Sequence, residues 1–421
     1  MIQEQKTTHG LTVSFNTTED CNLRCKYCYE TCKKPQSLSF SDAKSFVDLL
    51  MEDPDPLGFL GTEKESFAKN LYRQGIILDF IGGDALMDVE FLDAILKYFI
   101  YRVNTSSGEN PRRWRSSWRI NISTNGTLFE KPSVRAFCEK YRHNLSMGVS
   151  LDGCPSLHDM NRVFPDGSGS MNSIIHWWPW YRRNFPLNAD STKSTLAKNS
   201  IPYLYDSLLF LHEKMGIRHI NQNFIMENMN LKQQDLNLLD AQMEKCVRYV
   251  LLHRKEMFWS MIKKETFAEH HLSRGLDWFD SGHCGSGCMP ALGTNGMIYP
   301  CFRWLPHTQN NKVPYVAGSI KKGLYNKSAF KQVLTKATRS SCTKESKCKT
   351  CEYESACPYC IGGCFAEYGD FRRTTHICEV IKLQCKWSKI YWNEYNRLEG
   401  LKPEYPTEFC LKGVRDGIYK N

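Results

Sequence analysis

At 421 residues and 48.8 kDa, the chain exceeds one ordinary domain of about 100–150 residues and has room for two or three. Its 41% hydrophobic and 24% charged content, with a mean hydropathy of -0.47, excludes a fibrous or disordered chain. No run reaches the roughly 18 apolar residues of a membrane helix, and MIQEQKTTHG has no apolar signal core, so a cytoplasmic location without membrane attachment is expected. The net charge of +10 includes nine basic side chains between Lys321 and Lys349, opposed only by Glu345. Such a stretch suits an acidic partner or plain solvation; an acidic peptide is the partner expected, and nucleic acid is not.

Six apolar runs bounded by turn residues read as strands: 11–17, 76–81, 119–124, 146–151, 193–198 and 219–227. A helix-length stretch follows each. After the first, Ser41 is placed to cap a helix carrying Ala43, Phe46, Val47 and Leu50 on one face, and a second stripe is Leu92, Ile95, Leu96 and Phe99. Strand–helix alternation specifies a parallel sheet with right-handed crossovers, and six units make a partial (β/α)6 barrel, an α/β fold with ligands beyond the C-terminal strand ends. Residues 104–118 read as a loop. Beyond about residue 280 cysteines become dense, and Asn295-Gly296 signals a hairpin. The expected organisation is a barrel with a connecting helix over 1–280, a cysteine-rich domain over 281–380 and a helical tail over 381–421.

Nineteen cysteines in a chain without a secretion signal point to metal rather than disulfides. Cys21, Cys25 and Cys28 follow the first strand directly, at the barrel mouth. Three thiolates on one tight loop can hold three irons of a four-iron cluster and leave the fourth open. The structural alternative is a zinc knuckle with Cys32 as fourth ligand. The spacing C-x3-C-x2-C, with Tyr27 before the last cysteine, resembles the signature of the radical S-adenosylmethionine (SAM) enzymes. That resemblance implies a reduced cluster that cleaves SAM to a 5'-deoxyadenosyl radical, with the protein supplying orientation and exclusion of water.

Later strand ends extend the likeness. Gly82-Gly83-Asp84 resembles the family's Gly-Gly-Glu, with a carboxylate one methylene shorter and Ala85 in place of proline. Ser123-Thr124-Asn125-Gly126 resembles the ribose-side strand end, and Ser150-Leu151-Asp152-Gly153 leads through His158-Asp159 to Arg162. The SAM contacts implied by resemblance are Tyr27, Gly82, Gly83, Asp84, Ser123, Asn125, Ser150 and Arg162. An arginine suits forked pairing with the SAM carboxylate.

The second cysteine set comprises Cys284, Cys288, Cys301, Cys348, Cys351, Cys357, Cys360, Cys364 and Cys378. Zinc ribbons compete for paired C-x2-C spacings. The arrangement resembles the SPASM extension of radical SAM peptide-modifying enzymes, which implies two auxiliary four-iron clusters and three in the chain. By that likeness Cys348, Cys351, Cys357 and Cys378 match the outer cluster, and Cys284, Cys301 and Cys360 the inner one. Cys288 or Cys364 would complete the inner set, unless that position stays open to a substrate thiolate. Cys32, Cys138, Cys154, Cys246, Cys342, Cys385 and Cys410 read as thiols without such a context.

The motif string as a whole is most similar to the maturases of peptides with repeated Cys-x-x-x motifs (ranthipeptides). The resemblance implies thioether crosslinks between a cysteine sulfur and a carbon of an acceptor residue such as Asp or Glu, in a ribosomally made precursor peptide. Carbon–carbon crosslinking and sulfatase-maturase-like oxidation of Cys or Ser are the alternatives on the same scaffold; a zinc-stabilised binding module is the alternative of another class. No catalytic acid or base stands out. An electron donor such as flavodoxin or ferredoxin is implied. With about ten residues before the first strand, a leader-binding winged-helix domain is not expected there, which leaves the rim, the tail or a separate leader-binding protein.

Overall fold

The computed structural model describes residues 11–52, 75–262 and, with short interruptions before 357, residues 284–411. The six expected strands form as β1 (Leu11–Thr18), β2 (Ile76–Gly82), β3 (Trp118–Thr124), β4 (Leu145–Val149), β5 (Ser191–Leu196) and β6 (His219–Phe224). β1 to β4 pair in parallel in sequence order, β5 pairs with β6, and a parallel bridge between Ser150 and Lys193 carries the wall from β4 to β5. β7 (Phe258–Trp259) extends the far edge beyond β6.

The apolar stripes predicted for the first helices are fully buried. In the helix Phe40–Glu52 these are Ala43, Phe46, Val47 and Leu50; in the helix Val89–Thr105, Leu92, Ile95, Leu96 and Phe99. Both press onto the sheet, where Phe15 of β1 meets Phe46 at 5.2 Å and Phe80 of β2 at 5.5 Å between ring centroids. The cap of the first helix is Ser39 rather than Ser41. The Ser39 Oγ accepts the Asp42 N–H at 3.0 Å, and Ser41 sits inside the first turn. Residues 104–118 are not all loop either. Glu109–Trp114 is a short helix that buries Trp114 completely, because a tryptophan with a core to enter outweighs the weak local preference of Gly108, Asn110 and Pro111.

The Asn295-Gly296 hairpin forms between β8 (Ala291–Leu292) and β9 (Met297–Tyr299), with Gly296 at φ +71. It does not stand apart. β8 pairs in parallel with β1 through Ser14 and Phe15, and β10 (Gly318–Ser319) follows β9, giving the sheet order β10-β9-β8-β1-β2-β3-β4. A second, smaller core then forms around the fully buried Trp304, whose ring lies 5.0 Å from Phe365 and 5.3 Å from Tyr315. The helix Cys378–Leu398 returns to the barrel. Lys386 and Trp387 reach Asp240 of the helix Gln233–Leu252 at 2.7 Å each. Among the described residues no helix is long and apolar enough to cross a membrane.

Because Phe15 serves both the barrel core and the strand that β8 joins, Phe15→Ala is expected to lower unfolding free energy by about 3–5 kcal/mol. Anaerobic denaturant titration checks this. Loss confined to the C-terminal region would contradict the shared sheet.

Candidate functional site

The first cysteine loop is built by close backbone approach. β1 ends in a bulge at Thr17, where Asn16 faces Ile81 but Thr18 faces Gly82. Gly83 N–H then donates to Thr18 O at 3.0 Å and Asp84 N–H to Asp20 O at 3.3 Å. A Cβ on Gly83 would stand 1.8 Å from Asp20 O, and one on Gly82, at φ +138, 2.1 Å from Thr18 O. The two glycines are therefore required by the loop itself. From the other side, Arg24 N–H donates to Val163 O at 2.7 Å and Lys26 N–H to Asn161 O at 3.0 Å.

Between these supports lies a cavity of about 340 Å³ lined by Cys21, Cys25 and Cys28. Of the residues expected to hold SAM, Tyr27, Gly82, Gly83, Ser123, Asn125, Ser150 and Arg162 line it. Asp84 does not. Its fully buried carboxylate accepts the Asn125 N–H at 2.8 Å, the Thr124 hydroxyl at 2.9 Å and the Leu86 N–H at 3.1 Å, tying the ends of β2 and β3. The short aspartate is occupied by backbone where a longer side chain would reach out. The Asn125 amide is also engaged. Its Nδ2 donates to Asn22 Oδ1 at 2.8 Å, and its Oδ1 accepts the Thr127 N–H at 2.9 Å, so it steadies the cysteine loop.

Arg162 is held by a residue the sequence motif contained but gave no role. Asp152 is completely buried; it pairs with the Arg162 Nε at 3.1 Å, accepts the Tyr27 hydroxyl and takes the Thr195 N–H at 3.0 Å. The guanidinium lies over the Tyr27 ring, 5.4 Å from its centroid. A buried cation is tolerated because its partner is buried with it. Behind this pair, His158 Nδ1 faces the Asp152 N–H at 3.4 Å and its Nε2 meets Ser170 Oγ at 3.1 Å, while Ser170 donates to Arg162 O at 2.8 Å. Burial lowers the His158 pKa to about 4. Lys193, on the cavity wall, is likewise pulled down by desolvation. Only its position on the inward face of a barrel strand could have marked it in the sequence.

The same cavity reaches the second cysteine set, since Cys360, Arg303 and Glu227 also line it. Arg303 stacks on Tyr29 at 4.3 Å and approaches Glu227 at 3.4 Å. Gly362 makes room for it, because a Cβ there would fall 2.8 Å from Arg303 Cβ and backbone. Cys284, Cys301 and Cys364 neighbour Cys360 closely enough that, after burial, its charge raises their thiol pKa values, to about 11, 12 and 12. Cys288 lies outside the described residues. Cys348, Cys351, Cys357 and Cys378 together line a separate cavity of about 130 Å³ with Lys347, Lys382 and Arg373. Cys342 and Cys385, read as thiols without a metal-binding context, are buried; Cys342 lies near Cys364, and Cys385 near Cys357 and Cys351. Cys32 is exposed and does not line the first cavity.

Among the described residues no three Cys, His, Asp or Glu side chains converge closely enough to hold a single metal ion, so what the thiol sets offer a soft-metal cluster is their chemistry. Each is all thiol, and each lines a pocket with cationic side chains that would offset cluster charge: Lys33 and Arg162 at the first, Arg303 at Cys360, Arg373 and the lysines at the outer one. Burial lifts Cys21 to about 12 as well, so Cys21, Cys301 and Cys364 would ionise only when a metal displaces the proton.

The His158 shift sets a pH dependence. Its folded pKa lies below the ordinary value, so the unfolded chain binds the proton more readily, and the contribution to stability is lost as pH falls from about 6.5 toward 4. Anaerobic urea unfolding should show up to about 1.4 kcal/mol per pH unit from this residue, reduced in His158→Gln. An equal slope in the variant would contradict the assignment.

No family model matches the chain. It is 24% identical over 384 residues to the Cysteine-type anaerobic sulfatase-maturating enzyme of Clostridium novyi (strain NT), covering 82% of this chain and 85% of that one. It is 24% identical over 195 residues to an uncharacterized protein of Methanocaldococcus jannaschii, covering 46% and 56%. Among solved structures, anSMEcpe with bound AdoMet and Kp18Cys peptide superposes with a TM-score of 0.64 at 15% identity, over 92% of this chain and 99% of that one. Streptococcus suis SuiB bound to precursor peptide SuiA gives 0.54 at 15% identity, over 88% and 76%. With its parallel barrel, thiol loop at the strand ends and cysteine-rich C-terminal region, the chain shares the fold of anSMEcpe and SuiB.

Proposed function

We propose that this chain is a radical SAM enzyme that joins a cysteine sulfur of a ribosomally made peptide to a carbon of an acceptor residue such as Asp or Glu. The observation that carries this reading is the shared chamber, lined by Cys21, Cys25 and Cys28 on one side and by Cys360 on the other. A peptide cysteine entering there meets both thiol sets at once. Cys21, Cys25 and Cys28 would hold the SAM cluster; Cys284, Cys301, Cys360 and Cys364 the inner auxiliary cluster, with Cys288 competing for the fourth position; and Cys348, Cys351, Cys357 and Cys378 the outer one. A SAM-bearing cluster would supply a carbon radical able to take a hydrogen atom from the peptide.

The chain's own residues orient and shield. Arg162, fixed by Asp152 and Tyr27, offers a forked donor for the SAM carboxylate. Arg303 places positive charge beside Cys360, where a substrate thiolate would be favoured. Of the two carboxylates lining the chamber, Glu30 is tied to Lys33 at 2.9 Å and Glu227 to Arg303 at 3.4 Å; Glu227, with 43% of its side chain exposed, is the nearer to solvent and would take the thiol proton. Loss of that proton, one hydrogen atom and one electron leaves a peptide short of two hydrogens. The electron would pass to the auxiliary clusters, and a flavodoxin or ferredoxin would supply the electron that starts each turnover. Leader recognition would fall to the rim, the tail or a separate leader-binding protein.

Oxidation of a peptide cysteine to formylglycine is the second reading. It is favoured by the Clostridium novyi relative and by the Cys-containing name of the peptide bound to anSMEcpe.

Mass spectrometry of candidate Cys peptides after anaerobic incubation with SAM and dithionite separates the readings. A thioether removes two hydrogens and one alkylatable thiol; a carbon–carbon link removes two hydrogens and keeps the thiol; formylglycine removes two hydrogens and exchanges sulfur for oxygen. Replacing Cys21, Cys25 and Cys28 together by Ala is expected to abolish 5'-deoxyadenosine while auxiliary iron remains. Cys360→Ala is expected to retain 5'-deoxyadenosine and lose crosslinking. Stoichiometric zinc without acid-labile sulfide would instead make the chain a zinc-stabilised binding module.

A further inference from the structure

Four cationic side chains line the chamber: Lys33, Arg162, Lys193 and Arg303. Three are already paired. Lys33 meets Glu30 at 2.9 Å, Arg162 meets Asp152 at 3.1 Å and Arg303 meets Glu227 at 3.4 Å. Among the described residues the Lys193 ammonium has no ion-pair or hydrogen-bond partner. The acid that acts on it is Asp79, which is buried and does not line the chamber; its carboxylate is taken by the Ser14 hydroxyl at 2.8 Å and the Asn121 Nδ2 at 2.7 Å. The Lys193 side chain is exposed, yet desolvation is the largest influence on its pKa and draws it down, with Asp79 opposing the fall and Arg162 adding to it. Both hold together because the surface it presents is that of the chamber and not of open solvent.

We infer that Lys193 is the chamber's carboxylate anchor, pairing with the acidic side chain of the peptide residue that gives up hydrogen. The inference rests on the peptide-crosslinking reading above and names the residue that selects an Asp or Glu acceptor. A cation held in a partly dehydrated wall without a counter-ion is unfavourable, and an anion brought by the substrate removes that cost. The chamber's own carboxylates do not fill the role, because Glu30 and Glu227 are tied to Lys33 and Arg303. Neutral donors stand beside the ammonium. Thr195, two residues along the same face of β5, and Asn223, its register partner on β6, both line the chamber, and neither the Thr195 hydroxyl nor the Asn223 side-chain amide is bonded to another described residue. An ionised carboxylate is acceptor-only and takes several hydrogen bonds at once, so an ammonium flanked by a hydroxyl and an amide suits it.

The position of Lys193 ties the anchor to the chemistry. A parallel bridge sets it opposite Ser150, one of the residues expected to contact SAM, so an acid held there brings the carbons next to its carboxylate toward the place where the radical would form. Arg303 belongs to the cysteine-rich side of the chamber, where it stacks on Tyr29 and adjoins Cys360. The two cations divide the substrate between them: the barrel wall takes the carboxylate, and the cysteine-rich side takes the thiolate. The flexible four-carbon stem of a lysine lets one residue serve Asp and Glu acceptors alike. A peptide with an amide, a hydroxyl or an apolar side chain at the acceptor position keeps the sulfur contact and loses the anchor.

The test uses the full chain, anaerobically reconstituted and SAM-loaded. Short synthetic peptides with one Cys and one Asp or Glu at varied spacing are incubated with dithionite; the best substrate is identified by net loss of two hydrogens, and its link is mapped by tandem mass spectrometry. That peptide, and the same peptide with the acid replaced by its amide, are then titrated without reductant, and Kd is measured by fluorescence anisotropy for the wild type, Lys193→Met and Lys193→Gln. Tm and iron content show which variants have folded, and either one suffices. The wild type is expected to bind the acid about tenfold more tightly than the amide, and the variants to bind the two alike, the non-additivity of groups that touch. Absence of the preference in the wild type, its survival in the variants, or a link mapped to a residue other than the acid each overturns the anchor and leaves the crosslinking reading intact. SAM carries a carboxylate of its own, so its Kd is measured on the same proteins: weakened SAM binding with the acid preference unchanged would assign the lysine to SAM and overturn the anchor. Failure of the wild type to crosslink any of the peptides overturns the crosslinking reading and the anchor with it.

Discussion

The barrel mouth depends on one close approach, the backbone of Gly82 and Gly83 lying against that of Thr18 to Cys21. With no room for a Cβ at either glycine, the end of β2 can support the turn that takes the chain out of β1 and into the cysteine loop. The loop's other side hangs on the carbonyls of Asn161 and Val163. Cys21, Cys25 and Cys28 are thus positioned by hydrogen bonds to the end of β2 and to the C-terminal end of the helix Pro155–Asn161 and the residues after it, and little of their placement is left to the loop's own preferences. Asp84 and Asn125 belong to the same frame. Their side chains are spent on backbone and on Asn22, which makes them structural supports of a site whose surface is furnished by other residues.

Electrostatics completes the frame. Arg162 is a buried cation, and it is stable there because Asp152 pairs with it while Tyr27 and Thr195 satisfy the remaining carboxylate valences. Removing any one partner would leave a charge or a donor stranded in a low-dielectric wall. His158 stays neutral behind the pair, so the guanidinium keeps its charge without a competing cation. A similar logic holds at the outer thiol pocket, where Arg373 reaches Glu354 and the Cys357 carbonyl at 2.9 Å each.

The cysteine-rich region is joined to the barrel as part of its sheet. Pairing of β8 with β1 through Ser14 and Phe15 fixes the hairpin's register, and the Trp304 core then brings Arg303 and the Cys360–Cys364 turn over the barrel mouth. His307 is buried in this seam, 3.7 Å from Glu19 and 3.9 Å from Glu30, two residues that flank the first thiol loop, with neither ring nitrogen hydrogen-bonded. The shared chamber is a consequence of this sheet extension.

The sequence by itself determined the strands, because period-two and period-3.6 burial patterns are local, and the thiol spacings, because metal ligands on a tight loop must be close in the chain. It also contained the strand-end motifs, which bring Gly82, Ser123, Ser150 and Arg162 to one cavity. Tertiary structure alone decided the rest. Ser39 rather than Ser41 caps its helix, and Trp114 makes a helix of an expected loop, since burial outweighs weak local preference. Asp84 turns inward because its reach matches the Asn125 and Leu86 N–H groups. Asp152, Lys193, Cys342 and Cys385 gain their surroundings from residues distant in sequence. Spacing along the chain cannot encode such contacts, because they arise only when separate strand ends close around a common cavity.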